Sequence, residues 1–343
     1  MPELWDPWNI PESGFPRKGE PSDKLRFLLN YAILAPSSHN SQPWLFKVVG
    51  ETLELYADRT RALPVVDPED RELVMSCGAA LFNLRIAFRH YGYEAAVEIL
   101  SDPRNPDLLA RIAFGTEKAP TPDEQLLFES IPKRRTNRMP FEDRKVPEEL
   151  LTDLQQAAKI EGAWLYVIKK EDERNKIADV IADADRTQMA DGRFRRELAA
   201  WIHPNRTASH DGMPGFAHRL GSVTSALAPL VVRTFDIGKG QAARGRELAA
   251  GSPVLVLLGT ERDTVQAWLS VGQALERVLL RARAENVWAS FLDQPIELPE
   301  LRSKLLDTLG LVGFPQFLLR LGYGQEVKPT PRRTPGEVLV RGR

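Results

Sequence analysis

Two short patterns each occur twice along this chain, in the same order, and that duplication restricts the fold more than any single stretch does. A helical signal, a turn and Trp-Leu occur at Trp44-Leu45 and again at Trp164-Leu165. Ser-x-Gly-x-Ala-Leu occurs at Ser76, Gly78, Ala80 and Leu81 and again at Ser270, Gly272, Ala274 and Leu275, each time early in a long apolar helical run. Self-similarity of this kind marks repeated supersecondary units. The chain is therefore read as a degenerate duplication whose second copy carries an insertion.

Hydrophobic periodicity and turn residues divide the rest. Residues 1–22, with prolines at 2, 7, 11, 16 and 21, predict an irregular arm anchored by Trp5, Trp8 and Phe15. Ser22 is a candidate N-cap for a helix over 23–34, whose Leu25, Leu28, Leu29 and Ala32 share one face. Strands are predicted over 44–49 and 52–56 around the Gly50-Glu51 hairpin, a helix over 71–91 stopped by Gly92, and strands over 95–100 and 109–114. Linker-type composition at Lys118-Ala119-Pro120-Thr121-Pro122 places a boundary there, giving halves 1–119 and 120–343. The second half predicts helices over 123–130 and 148–158, a strand over 164–169, a long irregular stretch over 186–222, a buried strand over 252–259 and a helix over 265–284. A connection as long as 186–222 is usually functional or a covering segment.

Two stretches carry chemistry. Between the first helix and first strand, Pro36, Ser37, Ser38, Asn40, Ser41, Gln42 and Pro43 crowd hydroxyls, amides and free backbone N–H groups into one bend. Asx and Ser/Thr turns together with a helix C-cap account for about two of its polar side chains. Farther on, Arg134-Arg135-Thr136-Asn137-Arg138 stands between Pro132 and Pro140. It reads either as a solvated basic turn or as an anion grip, since guanidinium forks match phosphate oxygens.

Several classes are excluded or disfavoured. Net charge is −1 from 46 basic and 47 acidic residues, so no global field recruits nucleic acid or an anionic membrane, and any anion must be bound locally. No apolar run approaches the roughly 20 residues of a membrane span, and the start lacks a signal-peptide pattern, so a soluble, cytoplasmic protein is expected, monomeric or homodimeric. Cys77 is the only cysteine, which removes intrachain disulfides and Cys-cluster metal sites. His203, His210 and His218 lack metal-ligand spacing, and no G-x-G-x-x-G fingerprint is present.

Ala-Pro-Ser-Ser-x-Asn-x-Gln-Pro-Trp after an apolar helix resembles the flavin-contacting turn of the FMN-dependent nitroreductase family, and the Arg134–Arg138 run resembles that family's phosphate grip. The resemblance covers nearly the whole chain apart from the arm and 186–222, and the layout looks like the fused, Acg-like branch. It implies an α+β nitroreductase-like fold in which two degenerate repeats form an intrachain pseudo-dimer. The halves keep complementary pieces: the first has the polar bend but only Arg17-Lys18 where a grip would be, and the second has the grip but only Lys159, Glu161 and Gly162 before Trp164. One FMN site assembled across both halves is implied.

In that site the resemblance assigns Arg134, Arg135, Thr136, Arg138 and Arg333 to the phosphate. It assigns Pro36, Ser37, Ser38, Asn40 and Gln42 to the flavin from the other half, and Ser290, Phe291 and Leu292 to its N5 and O4 edge. No side chain is nominated as general acid or base, and His39 is left as structural. The activity implied is hydride transfer from transiently bound NAD(P)H through FMN to a nitro-aromatic, quinone or similar acceptor. The alternative is a flavin-storing protein in which 186–222 is a lid that prevents turnover.

Overall fold

Pro21 opens the first helix because its missing N–H is one the first turn cannot use and its φ is already helical. The computed structural model describes residues 6–218 and 220–340. Trp5 lies outside them. In the arm, Trp8 and Phe15 are buried, and the Phe15 ring stacks on Tyr91 with centroids 3.9 Å apart. Helix α1 (Pro21–Ala32) has Glu20 at its N-cap, so Ser22 is not the cap expected; it sits in the first turn and accepts from Arg26. Its buried Leu25, Leu28, Leu29 and Ala32 recur at helical spacing.

The first half continues with β1 (Trp44–Val49), β2 (Thr52–Ala57), α2 (Arg71–His90), β3 (Tyr93–Ile99) and β4 (Leu108–Glu117). These strands form an antiparallel sheet in the order β1-β2-β4-β3. Helix α3 (Pro122–Ser130), with a Thr121/Glu124 capping box, leads across to the second half.

There α4 (Glu148–Ile160) and β5 (Trp164–Ile168) are followed by α5 (Glu171–Ala190), α6 (Gly192–Ala200), β6 (Ile202–His203), β7 (Met213–Pro214), α7 (Ser222–Thr234) and α8 (Gly238–Ala250). Then come β8 (Val254–Thr260), α9 (Val265–Ala284), β9 (Trp288–Phe291), α10 (Pro299–Leu309), β10 (Phe314–Gly322) and the short α11 (Pro335–Val338). The second sheet runs β5-β8-β10-β9. In both sheets, first pairs with second, second with fourth and fourth with third, and a long helix joins second to third. Trp44 and Trp164 open the corresponding first strands.

The stretch expected to be irregular over 186–222 is about half helical, with 201–214 irregular apart from β6 and β7, and it belongs to a longer insertion, α5 through α8. Its apolar stripe is too narrow to read as a pattern: α6 buries only Phe194 and Ala199 among arginines.

Helices α2 and α9 cross at the centre, buried nearly all round. The two glycines of the repeated hexapeptide make the crossing possible. A Cβ on Gly78 would lie 2.3 Å from the Leu269 carbonyl oxygen, and one on Gly272 would lie 2.0 Å from that of Met75. The contact is reciprocal, each copy's glycine seated on the other copy's helix.

Candidate functional site

The polar bend is held in a backbone conformation that only outside partners could maintain. His39, Asn40 and Gln42 all have positive φ (53°, 56° and 53°), a left-handed geometry costly for residues with a Cβ. Within the bend, the Gln42 N–H donates to Ser37 Oγ at 2.9 Å. From outside, Asn40 Nδ2 donates to the Gly212 carbonyl (2.9 Å) and the Pro331 carbonyl (3.1 Å), and Gln42 Nε2 to the His210 carbonyl (2.8 Å). Residues 210–212 belong to the insertion, so the insertion is tied directly to the bend. An Arg61–Asp211 ion pair reinforces the tie. Ser38 Oγ donates to Glu72 Oε2 on α2 at 2.5 Å.

The basic run is positioned by pairing with β9: the Asn137 N–H donates to the Ala289 carbonyl at 3.0 Å, and Thr136 bridges Ala289. Arg134 is buried, donates from Nη2 to the Leu34 carbonyl (2.8 Å) and places Nε 3.3 Å from Glu276 Oε1. Arg332, from the segment after β10, donates to the same Leu34 carbonyl (3.3 Å) and to Asn40 Oδ1 (2.9 Å). Bend, basic run and C-terminal segment thus meet at the end of the first helix. Trp8 of the arm lies under Arg332 and Arg135, 4.7 and 5.0 Å from the guanidinium carbons to the ring centre.

The electrostatics are lopsided. Burial pulls the pKa of Arg134, Arg135 and Arg332 below the usual arginine range and that of Arg138 down to about 10. Burial also pushes Glu276 up to about 7, against the pull of Arg134. The Nε atoms of Arg134, Arg135 and Arg332 have no hydrogen-bond partner. A buried cluster with more cations than carboxylates is costly unless an anion completes it.

These elements enclose a cavity of about 810 Å³. Of the residues expected at the site, Pro36, Ser37, Ser38, Asn40, Arg134, Arg135, Thr136, Arg138, Ser290, Phe291 and Leu292 line it. Gln42 and Arg333 are not among the lining residues. Gln42 is fully buried, and its amide is used by the His210 carbonyl and the Arg333 N–H; Arg333 donates to the Gln42 carbonyl (2.9 Å) and faces Asp58. Arg332 takes the place expected for Arg333, because successive side chains of an extended segment point to opposite sides.

His39 also lines the cavity. Burial, with Arg138 nearby, pulls its pKa down to about 4, so the ring is neutral at pH 7 and its Nε2 is unpartnered.

Sequence reasoning missed the remaining walls. Glu72 and Ser76 enter from α2, one helical turn apart, and Ser76 was visible as the start of the repeated hexapeptide. Phe194, Leu198, Ile202, Met213 and Phe216 form an apolar wall from the insertion. Asp293 and Glu297, just beyond β9, have carboxyl pKa values raised well above the ordinary carboxylate value by burial and by the negative charge of Glu72. Nothing local in the sequence marks these residues, which reach the cavity only through the packing of distant elements.

A family model described as "Nitroreductase family" matches residues 131–323. "Putative NAD(P)H nitroreductase Rv3131" of Mycobacterium tuberculosis is 31% identical over 93% of this chain and 91% of its own length. "Putative NAD(P)H nitroreductase acg" from the same organism is 28% identical over 92% and 93%. "Probable NAD(P)H nitroreductase PigM" of a Serratia strain is 27% identical over 92% and 93%. Among the described residues no helix is long and apolar enough to cross a membrane. With the family's motifs meeting at one cavity and its model matching more than half the length, this chain belongs to the nitroreductase family.

Proposed function

We propose that this chain is an FMN-dependent NAD(P)H oxidoreductase whose single flavin site is built across two fused nitroreductase-like halves, 1–119 and 120–343. The observation that carries the reading is the buried, anion-deficient cluster of Arg134, Arg135 and Arg332 facing the Ser37–Asn40 bend across one cavity. The donor set fits the group: unsatisfied guanidinium N–H groups suit a phosphate, and hydroxyls, amides and an apolar wall suit a polar-edged planar ring. When bound, FMN supplies two-electron hydride chemistry.

The chain's own residues perform the rest. Arg134, Arg135, Thr136 and Arg332 hold the phosphate, while Arg138 stands apart from them with its Nη2 beside the Met213 sulfur. Ser37, Ser38 and Asn40 face the ring from the first half, with Ser290 to Leu292 along its far edge. Glu72 fixes Ser38. Asp293 and Glu297 line that end of the cavity, and Phe194, Leu198 and Met213 restrict water. The acceptor is a nitro-aromatic, a quinone or a comparable molecule.

A specific observation also favours flavin storage: hydrogen bonds join residues 210–212 to Asn40 and Gln42, and the insertion supplies an entire wall. Visible absorption of the purified protein, followed by NADPH without oxygen, separates the readings. A yellow protein that bleaches supports the oxidoreductase; one that stays yellow supports storage; a colourless one refutes both. Arg134→Ala removes a buried phosphate donor and is expected to weaken flavin retention at least tenfold, given about 1.5–3 kcal/mol for a charged hydrogen bond.

A further inference from the structure

The cations lining the cavity fall into two groups, and the phosphate grip uses one of them. Arg134, Arg135 and Arg332 act on one another around Glu276. Arg138 on the basic run, Arg320 on β10 and Arg244 on α8 form the second, with Arg138 and Arg244 being the charges that bear on Arg320. All three line the cavity.

None of the three forms an ion pair with a carboxylate among the described residues. Arg320 is 1% exposed; its Nη2 donates to the Asn137 and Met139 carbonyls at 3.0 and 2.9 Å, while Nε and Nη1 have no partner. Its guanidinium carbon sits 4.2 Å from the centre of the Phe141 ring, and a π-face does not neutralise a charge. Arg138 has only the Met213 sulfur, at 3.9 Å from Nη2. Burial and mutual repulsion pull Arg320 down to about 10. Buried Arg320 with two unpartnered nitrogens, half-buried Arg138 and exposed Arg244, three guanidinium groups from three elements lining one cavity, describe a receptor for an anion.

The surroundings specify what carries the anion. Arg320 lies opposite Ser290 in the β10–β9 pairing, beside the segment assigned to the ring edge. Arg244 belongs to the α8 face that also presents Gln241 and Leu248 to the cavity, and the wall beyond is apolar through Met213 and Phe216. We propose that Arg138, Arg320 and Arg244 form an anion subsite, separate from the phosphate grip, that selects an electron acceptor with an aromatic body and a carboxylate. The acceptor role rests on the oxidoreductase reading; the anion preference does not. The insertion contributes Arg244, so the element that covers the cavity also sets its specificity.

The test is isothermal titration of the protein as purified, with 4-nitrobenzoate and with nitrobenzene. The wild type is expected to bind the carboxylate at least about tenfold more tightly, the scale of one charge-assisted hydrogen bond. Arg244→Gln should bring the ratio close to one, and Arg244→Lys should retain part of it, which distinguishes lost charge from lost folding. Equal binding in the wild type, or an undiminished ratio in Arg244→Gln, overturns the subsite. A colourless protein that keeps the preference refutes the FMN reading and upholds the subsite; a yellow protein without it does the reverse.

Discussion

Replacing Gly272 by alanine tests whether the two halves are locked at one backbone crossing. The new Cβ would stand 2.0 Å from the Met75 carbonyl oxygen, where ordinary contact begins near 3.4 Å, so α2 and α9 must part by about 1.4 Å. The obstacle is backbone, and no rotamer relieves it. Overpacking of this kind costs about 3 kcal/mol, the upper end of the usual range, while Gly to Ala inside a helix returns about 1 kcal/mol. The net loss is about 2 kcal/mol. At about 2.1 cal/mol/K per residue, a chain of 343 residues has an unfolding entropy near 0.7 kcal/mol/K, so Tm should fall by about 3 °C.

Gly240→Ala is the control, because nothing lies within 4 Å of a Cβ there and helix propensity should raise Tm slightly. Since α2 carries Glu72 and Ser76 and α9 leads into β9, Gly272→Ala should also loosen flavin retention. Scanning calorimetry and the bound-flavin absorbance measure both effects. A Gly272→Ala protein melting at or above the wild type would refute the crossing as described.

Asn40→Ala removes the acceptor of buried Arg332 and both bonds to Gly212 and Pro331, at a cost of about 3 kcal/mol. Limited proteolysis should then cut faster within 204–212, and an unchanged cleavage rate would count against the tie between insertion and bend. The Glu276 carboxyl is raised from 4.5 to about 7, so the folded state holds its proton more tightly than the unfolded chain. Its contribution to stability is therefore full below about pH 4.5 and is lost as pH rises through 7, about 3 kcal/mol at about 1.36 kcal/mol per unit. Asp67, raised to about 7, and Asp185, raised to about 6, act in the same direction. Tm measured from pH 4.5 to 8 should show a shallower decline in Glu276→Gln, and identical slopes would reject the assignment.

The local order of this protein was legible in its sequence. Trp44 and Trp164 open the matching strands, Gly78 and Gly272 sit at matching places in the central helices, and α9 spans the residues expected. Those signals are periodicity, turn chemistry and repetition, and neighbours along the chain suffice to produce them. The start of α1 was misplaced because a proline at the first helical position competes with a serine cap, and both patterns are good helix openings.

The cavity was legible only as two separate motifs. That the bend and the basic run share the Leu34 carbonyl, that Arg332 and not its neighbour turns inward, and that Arg244 arrives from an inserted helix all follow from side-chain directions set by distant packing. Sequence by itself determined which segments become helix or strand and which carry donors, because those depend on nearby residues. Only the tertiary structure decided which donors face one another, because burial, charge balance and the facing of an extended segment are fixed when remote elements close on a common space.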